Sequence, residues 1–88
     1  MCYSSAVPTV LRIGNLRVVL YPNDHRPAHV HVIGPEHEAL FYLNCPEGPT
    51  GLRENFGFSS RELFRIAAAL NEHGAELCAA WKEMHGTY

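Results

Sequence analysis

The stretch that decides the fold is VLRIGNLRVVL, residues 10–20, in which two apolar runs flank Gly14 and Asn15. A glycine at the first position of a two-residue connection suits a type II′ turn, and that turn joins antiparallel strands. With the turn placed there, the pairing runs outward to Val10 opposite Val19. The hairpin therefore predicts an antiparallel sheet at the centre of the fold.

Further strands and a helix follow this hairpin along the chain. Alternating or apolar runs at residues 29–33 and 38–44 predict a third and a fourth strand, and residues 52–58 a shorter fifth. Ser59, with a glutamate three residues later, predicts a helix N-terminus. The apolar positions beyond it keep a helical period across Gly74, which favours one helix over two shorter ones.

The predicted fold is an α+β domain over residues 7–88. It comprises a four- or five-stranded, mainly antiparallel sheet with one long C-terminal helix, about residues 60–85, packed on one face. Residues 1–6 are expected to be a disordered leader. A chain of 88 residues forms a single domain whose stability is modest unless it pairs with a partner.

Composition narrows the classes of function. No apolar run is long enough for a membrane helix, and the formal net charge of −2 argues against sequence-independent nucleic-acid binding. Cys2, Cys45 and Cys78 are odd in number and widely spaced, so we expect no disulfide framework, and Cys78 should pack as a small apolar residue. We expect a cytoplasmic protein.

The chemistry concentrates in NDHRPAHVHV, residues 23–32, which holds three of the six histidines. His29 and His31 are two residues apart in a predicted strand, so their side chains project from the same face. A single helix covers only one face of the sheet, and we expect these imidazoles on the other, open face. The side chains predicted to share it are Arg12, Arg17, His29, His31, Glu38 and Tyr42.

Several of these motifs together resemble a bacterial family of domains of unknown function, family 4160. The resemblance covers about residues 7–85. It rests on VPT (7–9), NDH (23–25) followed by Pro27, HVHV (29–32), EA (38–39), and EL (76–77) before Trp81. It implies a small cytoplasmic bacterial protein without an established activity. Genes of this family often lie beside those of another small uncharacterised family, an arrangement typical of toxin–antitoxin modules.

From the residues and the resemblance we expect a non-enzymatic, partner-binding or regulatory component of a toxin–antitoxin-like module. Its functional surface is the open sheet face with His25, His29 and His31. The expected partner is a protein, and an open sheet face also suits a homodimer. We expect neither membrane nor nucleic acid as a partner, except RNA as a substrate in the alternative below.

Two chemical alternatives remain for the same face. Asp24, His25, His29 and His31 could ligate a divalent metal such as zinc, which would allow a metal-dependent hydrolase using the three histidines. Alternatively, a small ribonuclease toxin could use His29 and His31 as acid and base, with Arg12 and Arg17 holding the phosphate. The sequence assigns no cofactor beyond this metal hypothesis.

Overall fold

The computed structural model describes residues 9–88, and the predicted leader at residues 1–6 lies outside them. Within residues 9–88, five strands form one antiparallel sheet in the order β1-β2-β3-β4-β5, and two helices follow. The elements are β1 (Thr9–Ile13), β2 (Leu16–Val19), β3 (His29–Ile33), β4 (Glu38–Tyr42), β5 (Gly51–Phe56), α1 (Ser60–Glu72) and α2 (Gly74–His85). The α+β class and the antiparallel sheet are confirmed. In this described part of the chain, neither helix has the length and apolar character that crossing a bilayer requires.

The first hairpin forms around the predicted turn. Gly14 has a φ of 60°, a backbone conformation that glycine adopts without steric cost. The predicted register holds from Ile13 opposite Leu16 as far as Leu11 opposite Val18. Beyond it, an irregularity in β1 brings Thr9, rather than Val10, opposite Val19. The alternation of side chains along a strand does not predict such an extra residue, because it assumes that every residue pairs in turn with the neighbouring strand.

The core lies between one sheet face and the two helices. Val18, Val30, Val32, Ala39 and Phe41 project from the sheet, as the alternation of side chains predicts. From the helices, the core receives Ile66, Leu70, Leu77, Cys78 and Trp81. The predicted helical stripe therefore packs against the predicted sheet face, which fixes the opposite face as the one that carries His29 and His31.

The single long helix that we predicted is two helices. His73 joins them with φ −108° and ψ 19°, and the apolar stripe keeps its phase across this interruption. The prediction of continuity was wrong because the stripe reports only which side is buried, whereas the glycine at position 74 lowers the cost of leaving the helical conformation. Ser59 caps α1 as predicted: its backbone N–H donates to the Glu62 carboxylate, and its hydroxyl oxygen accepts from the Glu62 backbone N–H. Hydrogen bonding from Ser59, chiefly from its backbone, lowers the pKa of Glu62.

A disulfide joins Cys45, after β4, to Cys78 in α2. The expectation of no disulfide framework was therefore wrong, although Cys78 does lie in the core as predicted. The bond spans a sequence separation of 33 residues. Such a pairing depends on where the helix crosses the sheet, and spacing along the chain gives no sign of it.

Candidate functional site

Asp24 is held above the end of β3 by the connection between β2 and β3. Its backbone N–H donates to the carbonyl of Tyr21 at 3.1 Å, which closes a turn around Pro22 and Asn23. Proline and asparagine are typical turn residues because proline presets φ and asparagine tolerates tight backbone conformations. The turn points the Asp24 carboxylate back over the strand that carries His29 and His31.

His29 is buried, with an exposed fraction of 3%. Its Nδ1–H donates to the carbonyl of Pro27 at 2.9 Å, and its ring centre lies 5.4 Å from that of Trp81. The strand phase was predicted correctly, since His29 pairs with Tyr42 on the same face. Its placement on an open face was wrong: the side chain is buried, and Trp81 of helix α2 lies beside its ring.

His31 lies between two carboxylates. Its Nδ1 is 3.2 Å from Glu38 Oε2 on the neighbouring strand, and its Nε2 is 2.9 Å from Asp24 Oδ2. Tyr21 packs edge-on against the ring, with the centroids 4.6 Å apart. The face around His31 is also less open than predicted, because its cross-strand neighbours Val19 and Leu40 are buried.

The hydrogen-bonding capacity of these groups constrains what can lie between them. Carbonyl and carboxylate oxygens only accept, so the Pro27 contact assigns the proton of a neutral His29 ring to Nδ1. The lone pair of His29 Nε2 then faces Asp24 Oδ2 at 3.3 Å, and His31 Nε2 faces the same oxygen. A cation bound between these atoms would accept a lone pair from each of the two nitrogens and from the carboxylate oxygen.

The ligand atoms of Asp24, His29 and His31 all lie within 4.8 Å of one another. His25, which we had included in the same metal hypothesis, is exposed and lies outside this group. It precedes the strand, so the alternation that places His29 and His31 together does not extend to it. The structure thus gathers Asp24, His29 and His31, three of the four ligands in the metal hypothesis.

A cavity of about 230 Å³ adjoins the group, and Asp24 and His29 form part of its wall. Arg26 and Arg53 line the same cavity, and the guanidinium of Arg53 lies 5.8 Å from the ring centre of Tyr42. Neither arginine was predicted at this site. Arg26 is in a loop, and Arg53 is on β5, a strand brought beside Tyr42 only by the sheet register.

Arg12 and Arg17, the arginines of the ribonuclease alternative, lie elsewhere on the sheet. They pair with each other across β1 and β2, and Arg17 is opposite Ile33 at the far end of β3 from His29. Neither lines the cavity beside Asp24 and His29. Glu38, which was predicted on the same face as these arginines, contacts His31.

Comparison with known proteins gives a family and nothing beyond it. No curated protein and no solved structure matches this chain. A family model described as a domain of unknown function, DUF4160, matches residues 15–82, which is well over half of the chain and includes both Asp24 and the histidines of β3. This match confirms the resemblance seen in the sequence motifs: the chain belongs to the DUF4160 family.

Proposed function

We propose that the protein binds one divalent metal cation through the carboxylate of Asp24 and the Nε2 atoms of His29 and His31. The observation that carries this proposal is the approach of both Nε2 atoms to one carboxylate oxygen, at 3.3 and 2.9 Å. A tetrahedral zinc with bonds of about 2.0–2.1 Å separates its ligand atoms by about 3.4 Å. The side chains are therefore close to ligating positions.

The groups behind the two imidazoles support the same assignment. Histidine ligands of metals typically donate their other ring N–H to a carbonyl or a carboxylate, which fixes the ring and makes the ligating nitrogen more basic. His29 has the Pro27 carbonyl in this position, and His31 has Glu38. Two imidazoles and one carboxylate leave coordination positions free, as in catalytic zinc sites and non-haem iron sites.

The test is zinc binding to the purified, demetallated protein, measured by calorimetry and by thermal unfolding. Zinc at about 100 times its dissociation constant should stabilise the fold by about 2.7 kcal/mol, which for a domain of this size raises the melting temperature by roughly 10–20 °C. His31→Ala and Asp24→Asn should abolish the gain. Both residues are only partly buried, so these variants should fold.

His25→Ala is the matched control, because it removes an imidazole from the same segment but outside the group. It should retain the full zinc effect. If wild type shows no gain, or if His25→Ala loses as much as His31→Ala, the proposal is wrong.

As a second function, we propose that the chain binds a protein partner through β5, in keeping with a component of a toxin–antitoxin-like module. Among the described strands β5 is at an edge of the sheet, so none of them pairs with its outer backbone groups, which suit addition of another strand. Leu52 and Phe56 on this strand are large apolar residues with exposed fractions of 47% and 57%. Exposed apolar side chains along an unpaired edge favour strand addition.

Co-expression with the product of the neighbouring gene tests this second function. Phe56→Lys should prevent co-purification of the two proteins, whereas Phe64→Lys, which changes an exposed aromatic on α1, should not. Co-purification that survives Phe56→Lys contradicts binding at β5.

A further inference from the structure

We infer that the cavity bordered by Asp24, His29, Arg26 and Arg53 binds the phosphate group of a small phosphate monoester. This inference rests on the proposed function, because the cation held by Asp24 and the two histidines forms one side of the ligand site. It adds the chemical class of the ligand, which the metal proposal leaves open.

The charge around the cavity is opposite to that of the chain as a whole. The formal net charge is −2, yet two of the seven lysines and arginines line this cavity. Among the described residues that line the cavity, Asp24 is the one carboxylate, and its charge is directed at the imidazoles. With a divalent cation bound there, two guanidiniums and a metal ion face a single carboxylate, so the cavity attracts anions.

The two arginines approach the cavity from different parts of the fold. Arg26 comes from the connection between β2 and β3, and Arg53 from β5. The ring of Tyr42, beneath the Arg53 guanidinium, holds it by a cation–π contact. A guanidinium presents several N–H donors in one plane, which match the oxygens of a phosphate better than those of most other groups.

The cavity is large enough for a small phosphate ester. Its volume of about 230 Å³ is somewhat below the roughly 300–1,000 Å³ of sites for drug-sized ligands. A phosphate group with a short organic substituent fits this space. Because Asp24 and His29 form part of the wall, a cation held by them would border the cavity, where one phosphate oxygen could ligate it while other oxygens accept from Arg26 and Arg53.

The experiment is calorimetric titration of methyl phosphate into the zinc-loaded protein, after zinc binding has been measured separately for every variant. Arg53→Gln and Arg26→Gln should each weaken methyl phosphate binding by about tenfold or more, because each removes a charge-assisted hydrogen bond. Arg12→Gln is the matched control, since Arg12 is an exposed arginine of the same sheet face outside the cavity. It should bind methyl phosphate like wild type.

Coupling between the two ligands provides an independent readout. If methyl phosphate touches the cation, it must tighten zinc binding by the same factor by which zinc tightens methyl phosphate binding. A parallel titration with inorganic phosphate tests whether the site prefers a phosphate ester or free phosphate. Tighter binding of methyl phosphate supports an ester ligand, and tighter binding of inorganic phosphate overturns that part of the inference.

The failures of the two proposals are distinguishable. If zinc binds as proposed but methyl phosphate does not bind, or binds equally well to Arg53→Gln and Arg12→Gln, the inference is overturned and the metal proposal stands. If wild type takes up no zinc, both are overturned, whatever methyl phosphate does.

Discussion

Breaking the disulfide between Cys45 and Cys78 should destabilise the fold by an amount that follows from its position in the chain. The bond closes a loop over a sequence separation of 33 residues. For a loop of that length, the restriction of the unfolded chain is worth about 3–4 kcal/mol at 25 °C. In a domain of this size 1 kcal/mol corresponds to about 4–8 °C, so reduction should lower the melting temperature by roughly 12–30 °C.

The assay is thermal unfolding followed by circular dichroism, with and without dithiothreitol. Reduced wild type should melt near the double variant Cys45→Ala/Cys78→Ala, and the reductant should leave the melting of that variant unchanged. Thiol titration of the unfolded, unreduced wild type should detect one free cysteine of the three in the sequence. Three free thiols, or a melting temperature that the reductant does not move, would refute the reasoning.

Three further predictions concern the helices and the glycines. Ser59→Ala should lower the free energy of unfolding by about 1 kcal/mol in a urea titration, since it removes the N-cap hydroxyl. Hydrogen bonds from Ser59 lower the pKa of Glu62 in the folded state. The ionised Glu62 carboxylate therefore stabilises the fold above its unfolded-state pKa, and this stabilisation is lost as the pH falls through the folded-state pKa. Glu62→Gln should accordingly be less stable than wild type at neutral pH and converge with it in acid; a constant difference contradicts this. Gly57→Ala should destabilise the fold, because Gly57 has a φ of 109° and a Cβ there overlaps the ring of His37. Gly74→Ala has open space around its Cβ and should raise the free energy of unfolding by up to about 1 kcal/mol. Equal stability of the two glycine variants would contradict the backbone assignment.

Short-range sequence patterns predicted the parts of the fold that depend only on residues close together in the chain. The Gly14 turn, the alternation along β3 and the Ser59 cap each depend on a few neighbouring residues, and each is found in the structure. The break at His73 was missed because burial and helix continuity are separate properties, and the apolar stripe reports only the first.

The candidate site was only partly predictable. The sequence placed Asp24, His29 and His31 together, since all three lie within one turn and one strand. It did not predict that Trp81 would bury His29, because that contact depends on how far α2 extends along the sheet. The approach of Arg53 to the loop before β3 likewise depends on the pairing of β5 with β4, a long-range contact without a signal in spacing.

The most direct test of the account is a crystal structure of the wild-type protein grown with equimolar zinc, with anomalous data collected on both sides of the zinc edge. We predict a single strong zinc peak within bonding distance of the Asp24 carboxylate and of Nε2 of both His29 and His31. Density in which Asp24 contacts the two imidazoles directly, with no anomalous peak between them, would contradict the central claim, as would a zinc held by His25 instead.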